Sequence, residues 1–343
     1  GFSYPEKEVL KTHFFKNCWL AESVEKSEHT SIDKSSAYNW QTDHLQIVAW
    51  ARIDNKSELN DKLDLNVEKR RTLTDKDYIL LAYLKYGEEC THYLHGDFAF
   101  AIFDAQQAKL FCARDPMGLK PFYYYSDENI FAFSSTPATF HHIQGVHLEP
   151  SIEWVLLYMI QSPMDFEKTA YQDVFKLAPA HQMVVTNETK DVSKYFSFHT
   201  DKIHLKNSKE YVEFYREHLE RAIRDRVQVN TPIGSELSGG LDSSTVTCYA
   251  LKYYPGSLMD FHTLSFCYFE NQPALIFEVN RAFRVPMNHV FCNISLYERD
   301  LNDEFRMLGA PHQHGNSVNH GMLYHTAQKY GIRTFLSGFG GFQ

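Results

Sequence analysis

Leu237-Ser238-Gly239-Gly240-Leu241-Asp242-Ser243-Ser244 lies between a strand-like run at 231–237 and a helix-like run that reaches Tyr253. Two adjacent glycines let the backbone turn sharply and bring its N–H groups close to an anion. The helix that begins there adds the positive end of its dipole and its unsatisfied N–H groups. The hydroxyls of Ser238, Ser243 and Ser244 are further donors, so the octapeptide reads as a phosphate cradle. It has no G-x-x-x-x-G-K-[ST], hence no lysine reaching a terminal phosphate. Instead Asp242 stands inside the turn. A carboxylate beside phosphates repels them unless a divalent cation lies between, which makes Asp242 the expected metal ligand and Mg²⁺ the expected ion. A serine-capped glycine turn is also an ordinary way to join a strand to a helix. The complete octapeptide at such a junction favours the phosphate reading.

A second glycine loop, Leu336-Ser337-Gly338-Phe339-Gly340-Gly341, follows a last strand expected at 333–336. In open parallel sheets ligands bind beyond the carboxyl ends of strands, so two such loops could face each other across one nucleotide. Strands at 262–268 and 288–292 and a helix at 319–330, stopped by Gly331, complete a strand–helix alternation. That alternation predicts a parallel sheet wound by helices. Ahead of it, Tyr211, Phe214, Tyr215, Leu219, Ala222 and Ile223 share one face of a helix expected over 209–226.

The first 200 residues follow a different pattern. Phe98-Ala99-Phe100-Ala101-Ile102-Phe103 turns through Asp104-Ala105-Gln106-Gln107 into Leu110-Phe111-Cys112-Ala113. Arg114-Asp115-Pro116-Met117-Gly118 then leads to Phe122-Tyr123-Tyr124-Tyr125 and on to Ile130-Phe131-Ala132-Phe133. Short strands joined by short turns predict an antiparallel meander, and apolar residues on both faces predict a sandwich of sheets. The expected division is an antiparallel α+β domain over 1–200, a polar linker over 201–208 and an α/β domain over 209–343.

Composition limits the function classes. With 343 residues, 43% of them hydrophobic, the chain is long enough for two cores. The formal charge of −9 argues against a nucleic-acid partner. The Lys69-Arg70-Arg71 cluster reads as a solvated loop. No apolar run is long enough to span a membrane, and no basic-then-apolar leader opens the sequence. The six cysteines form no C-x-x-C and several sit in apolar runs, which suits a reducing cytoplasm. The histidines lack zinc spacing; His312 and His314 have no third ligand nearby.

The ELSGGLDSS run resembles the PP-loop ATP pyrophosphatases, most of all asparagine synthetase and its relatives. HGDFAFAIFDAQQAKLFCARDPMGLKPFYYY resembles that family's N-terminal class II glutamine amidotransferase domain, which implies an Ntn-type sandwich. VFKLAPAHQMVV and SGFGG resemble later segments in the same order. The resemblance implies that Ser238, Gly239, Gly240, Asp242, Ser243 and Ser244 hold the pyrophosphate part of ATP with Mg²⁺, and that Leu241 between them belongs to the same cofactor-binding loop. It places Leu237, Phe266, Ser337 and Gly338 on the adenosine side. A substrate carboxylate then attacks the α-phosphorus, and an amine captures the acyl-adenylate as an amide.

Departures from the family redirect the expected activity. A glutaminase of this class uses a first-residue cysteine whose α-amine is the base. The sequence opens Gly1-Phe2-Ser3, and Cys18 is internal. Where the family's oxyanion strand has Asn-Gly-Glu, Val48-Ala49-Trp50-Ala51-Arg52-Ile53 offers Trp50, Ala51 and Arg52. Asp75 matches a family acid but alone reads as structural. The amidotransferase-like half is therefore expected to be inactive, with the amine supplied by the substrate itself. That describes the lasso-peptide cyclase and β-lactam synthetase branches, with a carboxylic acid or a precursor peptide as substrate and peptide-processing proteins as partners. The alternatives are an asparagine synthetase fed by ammonia or glutamine, and a non-catalytic nucleotide-binding relative. The family continues beyond Gly341-Phe342-Gln343 with an Asp-Glu pair and a helical region, and 269–278 is shorter than its usual connection. The α/β part is therefore expected to be incomplete at its C-terminal side.

Overall fold

The computed structural model describes residues 8–15, 18–25, 44–160, 162, 165–198, 201–229, 231–265, 272–283, 289–291, 309–311 and 317–338. Two compact units divide the chain, one of residues 1–200 with 301–311, the other of 201–300 with 312–343.

In the first unit β1 (Glu8–Phe15) and β2 (Cys18–Glu25) form an antiparallel pair. Next come β3 (Leu45–Ile53), α1 (Lys56–Lys62), α2 (Val67–Arg70) and α3 (Asp75–Tyr86). They are followed by β4 (Gly96–Asp104), β5 (Lys109–Arg114), β6 (Tyr123–Ser126) and β7 (Phe131–Ser134). α4 (Ile152–Met159), β8 (Val174–Lys176), β9 (His181–Val185) and β10 (Lys190–Lys194) complete the unit. A five-stranded antiparallel sheet runs β10-β9-β5-β4-β3, and a three-stranded one runs β7-β6-β8.

The alternation in β4 decides what covers each face. Phe98, Phe100 and Ile102 join Phe111 and Ala113 of β5 in a core with Ile79, Ala82 and Tyr83 of α3. Ala99, Ala101 and Cys112 face the other way, toward Phe122, Tyr124, Phe131, Phe133 and Phe175. The large residues of β4 thus meet the helices, and the small ones leave room for the aromatic side chains of the second sheet. Each fully buried large apolar side chain contributes about 1.5–3 kcal/mol. α3 is fixed at its start by a capping box: the Thr74 hydroxyl accepts from the Asp77 N–H, and the Asp77 carboxylate accepts from the Thr74 N–H at 2.7 Å.

One expectation needs correction. The strands do not form one meander: β5 pairs with β9, while β6 pairs with β7 and β8 in the second sheet. Sheet does pack on sheet, with α3 covering the other face of the five-stranded one. The cause lies in the Arg114–Gly118 turn. Buried Asp115 accepts from the N–H groups of Met117, Leu119 and Lys120 at 3.0, 3.0 and 2.9 Å. The Arg114 guanidinium donates to the carbonyls of Lys120, Leu177 and Gly118 at 2.8, 2.7 and 2.7 Å. This polar knot carries the chain from one sheet to the other.

The second unit begins with α5 (Ser208–Arg226), whose first two N–H groups beyond Ser208 are capped by the Asn207 side chain. Only its C-terminal part packs: Ile223 is buried and Leu219 lies beside it, whereas Tyr211 and Tyr215 are exposed. β11 (Ile233–Glu236), α6 (Leu241–Tyr253), β12 (Phe261–Ser265) and α7 (Gln272–Phe283) follow. β13 (His289–Phe291), α8 (Ser317–Lys329) and β14 (Thr334–Leu336) end the described chain. The four strands are parallel in the order β13-β12-β11-β14. One face is covered by α5 and α6, the other by Met322, Leu323 and Ala327 of α8. α7 is a helix that the sequence reading did not anticipate; Pro273 stands at its second residue, where a missing N–H costs nothing.

Candidate functional site

β11 is one of the two inner strands of the sheet. The chain steps from it to β12 and β13 on one side and returns through α8 to β14 on the other. The carboxyl ends of β11 and β14 therefore form the switch point where open α/β sheets bind ligands. Both glycine loops emerge there.

The first loop is held by its own backbone and hydroxyls. Leu237 N–H donates to the Leu264 carbonyl at 3.0 Å, tying the loop to β12. Gly239 has φ +80°, and a Cβ there would lie 2.6 Å from Leu275 Cβ, so the loop lies directly against α7. Gly240 caps α6, and the Ser244 N–H returns to its carbonyl at 3.1 Å. The hydroxyls of Ser238 and Ser243 bond each other at 2.9 Å, and Ser243 Oγ also accepts the Ser238 N–H at 3.2 Å. Two of the three expected hydroxyl donors are thus engaged with one another. The third, Ser244 Oγ, is buried with no partner among the described residues.

Asp242 stands in the first turn of α6, half-buried, and its carboxylate has no ion-pair or hydrogen-bond partner among the described residues. It belongs to the turn whose N–H groups lack partners within the helix and carry the positive end of its dipole. No group of three or more His, Cys, Asp or Glu side chains that could hold a metal occurs among the described residues. One carboxylate fits Mg²⁺ nonetheless, since that ion commonly takes one or two protein ligands and completes its shell with phosphate and water oxygens.

The second loop meets the first directly. A Cβ on Gly338 would lie 2.7 Å from the Ser243 nitrogen and 2.9 Å from the Asp242 carbonyl carbon. At that point no nucleotide fits between the loops; they touch, and together they form one floor. Ser337 Oγ donates to Glu236 Oε2 at 2.5 Å, linking the end of β11 to the loop after β14. Glu236 was not singled out in the sequence. Its partner lies 101 residues away, and nothing local signals the pairing. Phe266 lies outside the described residues. Just before it, Ser265 Oγ contacts His289 Nε2 at 3.0 Å and Thr263 Oγ1 contacts Nδ1 at 2.7 Å. Burial pushes this imidazole down to about 4, so the ring is neutral at pH 7 and is held by both hydroxyls at the edge of the site.

In the first unit, Trp50 on β3 is 54% exposed, with the Lys120 ammonium 4.4 Å from its ring centre. Arg52 is engaged by Asp54 at 2.9 Å and Asp97 at 2.8 Å. Asp75 accepts the Ile53 N–H at 2.9 Å and pairs with Lys56 at 2.9 Å, so it fastens the end of β3. Burial raises the thiol pKa of Cys18 and Cys112, the reverse of nucleophile activation.

A family model described as a glutamine amidotransferase domain matches residues 37–196, and one described as asparagine synthase matches residues 215–341. The chain belongs to the asparagine synthetase family. A Methanocaldococcus jannaschii protein described as a glutamine-hydrolysing asparagine synthetase is 33% identical over 222 residues, covering 64% of this chain and 42% of its own length. Asparagine synthetase [glutamine-hydrolyzing] 3 of Bacillus subtilis is 25% identical over 243 residues, 68% of this chain and 38% of its own. Amidase chry2 of Gibberella zeae is 30% identical over 178 residues, 50% of this chain and 26% of its own. The chain thus spans less than half the length of these family members. No helix among the described residues is long and apolar enough to cross a membrane.

Proposed function

We propose that this chain is part of an ATP-dependent amide ligase that activates a carboxylate as an acyl-adenylate, releasing pyrophosphate and then AMP. The observation that supports it is the floor at the switch point, where Gly338 abuts the Asp242–Ser243 backbone and an unpartnered carboxylate stands in the first turn of α6. In this reading Ser238, Gly239, Gly240, Leu241, Asp242, Ser243 and Ser244 receive the β- and γ-phosphates. Leu237, Phe266, Ser337 and Gly338 line the adenosine side. Asp242 would hold Mg²⁺, which neutralises phosphate charge when bound. The substrate carboxylate oxygen attacks the α-phosphorus, and the P–O bond to pyrophosphate breaks. Negative charge building on the departing group is met by preorganised N–H donors. The amine then attacks the acyl carbon and AMP departs. Residues 209–343 form the ligase part, 201–208 a linker and 1–200 an Ntn-type amidotransferase-like part.

ATP–pyrophosphate exchange with the intact protein tests this. A panel of free amino acids, aspartate included, and of peptides bearing Asp or Glu side chains should contain at least one acid that drives exchange. ATP binding without exchange for any of them would favour the non-catalytic relative.

The amine source follows from the first unit. An indole at Trp50 cannot polarise a carbonyl as an amide side chain does, and Arg52 is occupied by two carboxylates. We therefore place the amine on the substrate, as in lactam or macrolactam formation, with a carboxylic acid or a precursor peptide as the substrate class. The expected result is no glutamate above background when the intact protein is supplied with glutamine and ATP. Robust glutamine hydrolysis would favour the second reading, a glutamine-dependent asparagine synthetase, which the names of the relatives support.

A further inference from the structure

The first unit contains a cavity of about 260 Å³ far along the sheet from Trp50, at the β9–β10 edge rather than at β3. Tyr124 of β6, Lys176 at the end of β8, Leu177, Ala178, His181 of β9, and Val192 and Lys194 of β10 line it, with Glu167 exposed at its rim. Both sheets supply its lining, the five-stranded one through β9 and β10 and the three-stranded one through β6 and β8.

Ammonium groups there outnumber carboxylates: Lys176 and Lys194 line the cavity and the Lys190 ammonium lies 5.1 Å from the Tyr124 ring centre, against Glu167 in the lining and Asp165 nearby. Lys176 is half-buried and its ammonium makes no hydrogen bond or close ion pair among the described residues, although the Asp165 carboxylate acts on it from farther off. Lys194 likewise has no ion-pair partner there. Burial, and then the nearby Arg114 guanidinium, press the Lys176 pKa down, and Asp165 only partly opposes them. Arg114 donates to three neutral carbonyl oxygens, and its charge is offset in part by the adjacent Asp115 carboxylate. His181 adds no negative charge: Nδ1 lies 2.8 Å from the Pro179 carbonyl, which fixes the proton on that nitrogen. A partly buried cation without a counterion is costly to keep, and such groups concentrate at binding sites. Leu177, Ala178, Val192 and the Tyr124 ring add apolar patches to a lining that is otherwise polar.

We infer that this cavity binds a small organic carboxylate, its anionic end against Lys176 and Lys194 and its carbon skeleton against Tyr124, Leu177 and Val192. The apolar patches offer the carbon skeleton of an organic acid a contact that inorganic phosphate cannot use. The Glu167 carboxylate at the rim disfavours polyanions such as nucleotides. The site is separate from the nucleotide floor of the second unit and does not depend on the ligase reading.

The test is reductive methylation of the intact protein, with dimethylation of each lysine quantified by mass spectrometry. Acetate, butyrate, benzoate and inorganic phosphate are the probes, and exposed Lys209 of α5 is the control. At least one carboxylate should slow modification of Lys176 fivefold or more while leaving Lys209 unchanged, and phosphate at equal concentration should not. Calorimetric titration of that carboxylate should lose at least tenfold in affinity in Lys176→Met, a variant that stays folded because it removes an unpaired charge. Glu167→Gln should bind it more tightly. Unchanged methylation of Lys176 with all three carboxylates would overturn the inference. So would wild-type affinity in Lys176→Met, or protection by phosphate alone.

Discussion

Asp242→Asn should lower carboxylate-dependent ATP–pyrophosphate exchange by about two orders of magnitude or more while leaving the fold intact, the scale of the several kcal/mol that a cation bridging phosphate oxygens contributes. The substitution is nearly isosteric, and Asn suits the start of a helix. Asp242 makes no side-chain bond among the described residues that its loss would break. Removing its charge from the first turn of α6 costs stability only about 0.3–1 kcal/mol, through the helix dipole. The melting temperature should therefore move little. What changes is the balance of charge: the turn keeps its N–H donors but can no longer hold a divalent cation against the phosphates. The measurement is exchange rate against Mg²⁺ concentration for both proteins. The wild type should saturate, and the variant should need far more Mg²⁺ or fail to respond. A variant that exchanges like the wild type would remove Asp242 from the site and leave the glycine turn as an ordinary strand–helix junction.

The site was legible where the signal is local. Gly239-Gly240 followed by Asp242 and two serines, after a short apolar strand, marks a turn, a helix start and a candidate anion site within eight residues. The strands β11, β12, β13 and β14 and the helices α5, α6 and α8 also announce themselves through apolar runs and glycine stops. What stayed hidden depends on distance in sequence. Leu275-Ile276-Phe277 is a contiguous apolar run that reads equally as strand or helix. Its helical state goes with burial of Ile276 and contact with Gly239, some 36 residues earlier. The mutual bond of Ser238 and Ser243 is a choice of rotamer that residue types do not encode. The bond from Ser337 to Glu236 requires β14 to pair with β11. In the first unit the Arg114–Gly118 turn was recognised as a turn. Its role in changing sheets rests on carbonyls as remote as Leu177.

The largest effect on stability is expected from Gly96→Ala. Gly96 begins β4 at φ +146°, a conformation that side chains with a Cβ rarely adopt, and it pairs with Ile53 of β3. A methyl group there would stand 2.0 Å from the Arg52 carbonyl oxygen, 3.0 Å from its carbon and 3.1 Å from Ile53 Cα. All three are backbone atoms of the neighbouring strand, so no side-chain rotation relieves the clash. β3 can move away only by giving up the bond from Asp54 N–H to the His95 carbonyl at 2.8 Å and the Arg52–Asp97 ion pair beside it. Backbone strain of about 1–3 kcal/mol and overpacking of about 1–3 kcal/mol together put the cost at roughly 2–6 kcal/mol. For a unit of this size that lowers the melting temperature by roughly 4–24 °C. Gly87→Ala separates the two contributions. Gly87 also has positive φ, +61°, but nothing lies within 4 Å of its missing Cβ, so only the conformational strain applies. Chemical denaturation of both variants should place Gly96→Ala well below Gly87→Ala. Equal losses would mean that β3 yields freely at Arg52 and that the close approach of the two backbones does not hold this end of the sheet.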